Sequence, residues 1–163
     1  MKKCVVIGVT GGIAVYKALD IISALKKKDI DVRVIMTDSA TKFINPITFQ
    51  SLSNNAVAVD TFQEIKVHEI QHISLAQRAD LMLIAPATAN MLSTTIMACK
   101  SKVIFAPAMN TNMYENKIVQ ENIEKLKVYG YGFIEPGSGR LACGDIGVGK
   151  LADVSDIVER VLV

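Results

Sequence analysis

The chain has 163 residues, half of them apolar, enough for one domain with a full core. Its 18 Lys and Arg against 16 Asp and Glu, with no basic stretch interleaved with aromatics, argue against nucleic acid or an anionic membrane surface as a partner. Three widely spaced cysteines, Cys4, Cys99 and Cys143, argue against a disulfide framework or a zinc site and for a reducing, cytoplasmic compartment.

Residues 3–10 form a continuous apolar run suited to a central parallel strand covered on both faces. The run is too short for a signal sequence, and nothing in the chain approaches transmembrane length. From 13 to 28 the spacing turns helical, with Ala14, Ala18, Ile21, Ile22 and Leu25 on one broad face. Residues 31–36 are a second strand, and the β-α-β order requires a right-handed crossover in a parallel sheet. Pro46 starts a short helix through Leu52, 56–59 is a short strand, and 69–78 is helical. Strands at 81–85 and 103–106 each end at a proline, in Pro86-Ala87-Thr88-Ala89-Asn90 and Pro107-Ala108-Met109-Asn110. A helix follows over 114–126, then a glycine-interrupted strand over 127–134. A five-glycine loop or flap spans 136–150, and a terminal helix 153–162. No linker divides residues 1–163, so the chain reads as one domain.

Thr10-Gly11-Gly12 stands where the first strand turns into the first helix, a place where backbone N–H groups can meet a phosphate. The full GxGxxG fingerprint is missing, and the hydroxyls of Thr37 and Ser39 after the second strand suit a terminal monophosphate better than a dinucleotide. The plainer reading is a tight turn capped by Thr10, with Ser39 capping the next helix. His72 is either an acid–base or carboxylate-binding group near the crevice or an exposed or capping histidine. With His68 it forms an i, i+4 pair, but no third ligand follows at convincing spacing, so no metal is expected. Asn90 and Asn110 lie beyond parallel strand ends, where ligands bind in open sheets, and either can also be a helix cap. Met109 and Met113 line a flat apolar ligand or fill the core. Cys143, on the flap, is better placed to react than Cys4 in a strand.

Together, Gly8-Val9-Thr10-Gly11-Gly12-Ile13-Ala14, Pro86 to Asn90, Pro107 to Tyr114 and Leu141-Ala142-Cys143-Gly144-Asp145-Ile146-Gly147-Val148-Gly149 resemble the homo-oligomeric, flavin-containing cysteine decarboxylases over essentially the whole chain. The resemblance implies an α/β, flavodoxin-like three-layer sandwich around a central parallel sheet, with FMN at a subunit interface of a trimer or a dodecamer of trimers. It implies that Gly11, Gly12, Ile13, Thr37 and Ser39 surround the phosphate. Ala85, Pro86, Ala87, Thr88 and Ala89, with Ala106 to Met109, would border the flavin. His72 would be the active-site histidine, Asn110 would bind the substrate carboxylate, and Cys143 would protonate the intermediate. The implied reaction is FMN-dependent decarboxylation of 4'-phosphopantothenoyl-L-cysteine to 4'-phosphopantetheine in coenzyme A biosynthesis. FMN oxidises the cysteinyl thiol carbon to a thioaldehyde, carbon dioxide leaves, and the reduced flavin returns a hydride. The substrate would be a phosphorylated cysteine conjugate from a phosphopantothenate-cysteine ligase, fused or separate. The alternatives are a peptidyl-cysteine decarboxylase and an inactive flavin-binding regulatory protein. One departure stands out: between Asn90 and Ser93 the family carries about a dozen more residues, so a missing segment is expected there, within a crossover of minimal length.

Overall fold

The computed structural model describes residues 2–59, 78–90 and 101–163. Its elements, in chain order, are β1 (Cys4–Val9), α1 (Val15–Lys27), β2 (Asp31–Met36), α2 (Asp38–Thr41), α3 (Pro46–Ser53) and β3 (Val57–Ala58). There follow β4 (Leu81–Ala87), β5 (Lys102–Pro107), α4 (Thr111–Tyr114), α5 (Lys117–Val128), β6 (Gly132–Phe133), β7 (Gly137–Arg140), β8 (Ile146–Lys150) and α6 (Val154–Leu162).

Six parallel strands form one sheet in the order β3-β2-β1-β4-β5-β6, while β7 and β8 make a separate antiparallel hairpin. Leaving aside the two-residue edge strand β3, the order is that of the flavodoxin-like α/β fold, and the chain direction across the sheet reverses between β1 and β4. Every residue of β1 and β4 is buried, as strands covered on both faces must be. Val5, Ile7, Val9 and Leu83 point toward one core with Ile21, Ile22 and Leu25 of α1 and Ile157 and Val161 of α6. Val6, Met82, Ile84 and Phe105 point to the other face, covered by Ile123 and Leu126 of α5.

The expected elements are present among the described residues, with boundary changes that have local causes. β5 ends at its proline as expected, whereas β4 runs one residue past Pro86. Pro86 sits at the register irregularity between Ile84 and Ala87, and Pro107 is the last residue of β5, where no further ladder donor is required. The expected helix over 114–126 is two helices, because Asn110 and Asn116 each accept a bond from the N–H two residues on, Asn112 N at 2.8 Å and Ile118 N at 2.9 Å. The expected strand over 127–134 is mostly helix end and turn: α5 runs to Val128, Gly130 turns with φ +90, and only Gly132–Phe133 pair with β5. The glycine-rich flap is not a loop but the β7–β8 hairpin with its tip at residues 141–145. The expected helix over 69–78 falls, apart from its last residue, outside the described residues, as do His68, His72, Cys99 and the connection after Asn90.

Candidate functional site

Strand ends on the carboxyl edge of the sheet are tied to one another, so the rim of the crevice is built from backbone. Thr37 N donates to Val9 O at 3.0 Å and Ala108 N to Ala87 O at 3.0 Å. Thr10 joins β1 to β4: its buried hydroxyl donates to Pro86 O at 2.6 Å and accepts from Thr88 N at 3.2 Å. Thr10 thus bridges strands across the β1/β4 reversal rather than capping the turn after it. The cap of α2 is Thr37, whose hydroxyl accepts from Ala40 N at 3.2 Å, and Ser39 lies inside that helix.

A cavity of about 460 Å³ opens on this rim. One wall is the turn from β1 into α1. A Cβ on Gly11 would stand 2.6 Å from the Ser39 Cβ, so this turn seats against α2 only with glycine there. Gly12 has open space on the cavity side, where an added Cβ would meet only Thr88 Cγ2 at 3.5 Å. The first turn of α1 carries no acid, and Lys17 follows on the cavity wall. Ile13, Tyr16, Met109, Met113 and Leu141 give the cavity its apolar surface, and Arg140 and Lys150 add two more cations. Among the described residues no Asp or Glu lines the cavity, and Lys17, Arg140 and Lys150 make no ion pair.

The opposite wall is the hairpin, docked on residues 109–111. Met109 N donates to Gly149 O at 2.9 Å. Gly149 has φ +129, and a Cβ there would overlap the Met109 carbonyl oxygen. A Cβ on Gly147 would lie 2.5 Å from Thr111 Oγ1, itself buried without a partner among the described residues. The two glycines let β8 lie directly on the strand end that carries Asn110.

This docking brings the flap tip onto Asn110. The Asn110 side-chain oxygen is held by the α4 cap, which turns Nδ2 toward the flap. Nδ2 donates to Cys143 Sγ at 3.2 Å and to Asp145 Oδ2 at 3.0 Å, and Cys143 Sγ donates to the same Asp145 oxygen at 3.3 Å. Both Asn110 and Cys143 line the cavity, and Cys143 is exposed. Beside the site the Tyr114 phenol donates to Glu135 Oε2 at 2.9 Å; burial, then this bond and the carboxylate charge, push it up to about 12.

Of the residues expected at the site, Gly11, Gly12, Ile13, Pro86, Thr88, Ala89, Met109, Asn110 and Cys143 line one cavity, and so does Asn90. Ala85, Ala87 and Ala106 are fully buried within their strands and do not reach it, and Thr37 and Ser39 stand exposed at α2, behind Gly11. Sequence reasoning assigned no role to Asp145, Lys17, Arg140 or Lys150. A carboxylate two residues after a flap cysteine was the only signal for the first. The cavity suits a group with a phosphate and a flat apolar ring: a cradle at Gly12 free of side chain, the N-terminus of a 13-residue helix, cations, and methionine and aromatic walls.

The flavoprotein family matches the chain over residues 1–96 and 91–162. The chain is 43% identical to a probable phosphopantothenoylcysteine decarboxylase of Streptococcus mutans over 175 aligned positions, covering 99% of this chain and 98% of that one. It is 46% identical to the coenzyme A biosynthesis bifunctional protein CoaBC of Bacillus subtilis, covering 95% of this chain but 41% of the relative, so it spans less than half of that protein. Among solved structures, a variant PPC decarboxylase complexed with pantothenoylaminoethenethiol superposes with a TM-score of 0.85 at 26% identity, covering 99% of this chain and 97% of the other. The chain belongs to the flavoprotein family.

Proposed function

We propose that this flavoprotein is an FMN-dependent decarboxylase that converts 4'-phosphopantothenoyl-L-cysteine to 4'-phosphopantetheine in coenzyme A biosynthesis. The observation that carries the reading is the meeting of Asn110 and Cys143 on the cavity wall, on a chain whose full-length relative bears that name. Bound FMN supplies the reversible oxidation of the cysteinyl group that makes loss of carbon dioxide possible.

The residues of this chain bind, orient and protonate. Gly11 and Gly12 open the β1–α1 turn to a phosphate at the start of α1, with Lys17 adding charge. Thr88, Ala89 and Met109 border the flat ring. Asn110, its amide locked by the α4 cap, presents Nδ2 as a donor to the substrate carboxylate and to the charge left by decarboxylation. Cys143 holds a thiol proton at the same spot for delivery to the decarboxylated carbon. The docked hairpin excludes water from the reaction. His72 belongs to this proposal as the active-site histidine and lies outside the described residues.

The 175 aligned positions exceed the 163 residues of the chain, so at least a dozen positions of the Streptococcus mutans protein have no counterpart here. The two family matches meet at residues 91–96, which supports a shortened connection after Asn90. A phosphopantothenate-cysteine ligase, fused or separate, would supply the substrate, and the active form would be a homo-oligomer. Among the described residues no helix is long and apolar enough to cross a membrane.

The test is carbon dioxide release from 4'-phosphopantothenoyl-cysteine by the FMN-loaded protein. Asn110→Asp is expected to abolish release, and Cys143→Ser to release carbon dioxide without forming 4'-phosphopantetheine. Wild-type protein that carries yellow flavin but releases no carbon dioxide refutes the assignment.

A further inference from the structure

We propose that Asp145 is a positioning residue that fixes the thiol proton of Cys143 for delivery to the decarboxylated substrate. The proposal rests on the decarboxylase reading above. The flap tip is held by its own backbone, with Leu141 N donating to Asp145 O at 2.8 Å and Gly144 N to Leu141 O at 2.9 Å. That turn leaves Ala142 and Cys143 at the apex and returns the Asp145 carboxylate beneath them. Oδ2 then accepts from Cys143 Sγ at 3.3 Å and from Asn110 Nδ2 at 3.0 Å.

The two partners depend on Asp145 unequally. Asn110 is anchored independently, because its Oδ1 accepts from Asn112 N at 2.8 Å as the cap of α4. Its amide keeps Nδ2 facing the flap whether or not the carboxylate is present. Cys143 has no such second anchor. Asp145 is the sole acceptor of its S–H among the described residues, while its sulfur receives the Asn110 amide at 3.2 Å. The S–H bond to the carboxylate is made by the protonated thiol, and the contact fixes the rotamer that faces Asn110. In the reaction the sulfur–hydrogen bond breaks, a carbon–hydrogen bond forms at the carbon that lost carbon dioxide, and Cys143 is left as a thiolate that solvent reprotonates. Asp145 gives and takes no proton; it acts through Cys143.

Asp145→Asn keeps the size and an acceptor oxygen but removes the charge. A single turnover of the FMN-loaded variant with 4'-phosphopantothenoyl-cysteine is followed in two channels, carbon dioxide and 4'-phosphopantetheine. The expected result is carbon dioxide release within about twofold of wild type and product formation slowed by about tenfold or more, the scale of one charge-assisted bond. The melting temperature stays unchanged, and in a Cys143→Ala background, where only carbon dioxide is released, the Asp145 change leaves that release unaltered. Equal slowing of both channels in Asp145→Asn, or a further loss of carbon dioxide release in the Cys143→Ala background, overturns the positioning role. Wild type that releases no carbon dioxide sinks the decarboxylase reading itself, whereas wild-type turnover with an unaltered split in Asp145→Asn sinks only the role of Asp145.

Discussion

Gly149→Ala is expected to release the flap without unfolding the domain. At φ +129 an L-residue is strained by about 1–3 kcal/mol. The new Cβ would overlap the Met109 carbonyl oxygen and lie 3.3 Å from its carbonyl carbon, and backbone cannot swing aside as a side chain would. Relief comes only if β8 withdraws, which gives up the 2.9 Å bond from Met109 N to Gly149 O, worth about 0.5–1.5 kcal/mol. The sum, about 1.5–4.5 kcal/mol, shifts the docked-to-undocked ratio by roughly 10-fold to 2000-fold. Among the described residues the hairpin strands pair only with each other and none of their apolar side chains belongs to either core, so the cost falls on docking rather than on the sheet. Hydrogen exchange read by mass spectrometry should show protection lost over 146–150 and kept in β1 and β4, with carbon dioxide release falling in parallel. Gly144→Ala isolates the backbone part, since its φ is +94 and a Cβ there meets nothing within 4 Å. Wild-type flap protection in Gly149→Ala, or a loss no larger than in Gly144→Ala, would refute the argument that close approach to Met109 holds the flap.

Thr10→Val preserves shape at a position only 3% exposed but strands the N–H of Thr88, and it leaves Pro86 O without its hydroxyl donor. A loss of about 1–3 kcal/mol in chemical denaturation is expected, and a loss below about 0.5 kcal/mol would show that Thr10 does not tie β1 to β4. The phenol of Tyr114 is pushed up to about 12 by burial and then by Glu135, whereas an unfolded tyrosine ionises near 10. Between about pH 10 and 12 the folded state therefore holds a proton that the unfolded state has released, so this contribution is full below about pH 10 and is lost as pH rises toward 12. In a phenolate absorbance titration of the four tyrosines, one should ionise late and vanish in Tyr114→Phe; a wild-type curve lacking that late step contradicts the contact.

The parallel strands were legible because burial on both faces writes itself as an unbroken apolar run, as in Leu81 to Ala85. The flap was legible only as glycine-rich. Its strands read Gly-Ser-Gly-Arg and Ile-Gly-Val-Gly-Lys, with no alternation of apolar and polar residues that would announce a hairpin. The reason is physical: two of these glycines answer to their direct contact with Met109 and Thr111, not to sheet pairing. Asp145 was opaque for a related reason, since its meaning depends on where Asn110 stands, 35 residues away in sequence. The Asn110 cap was foreseen as a plain alternative to a functional asparagine, and the geometry makes the two readings one. The bond that caps α4 with Oδ1 is what turns Nδ2 toward Cys143, so the local rule of helix capping sets the orientation of that amide. The strand end that carries Asn110 and the hairpin that carries Cys143 thus form a single unit: the glycines set the distance, the cap sets the direction, and the carboxylate of Asp145 sets the thiol.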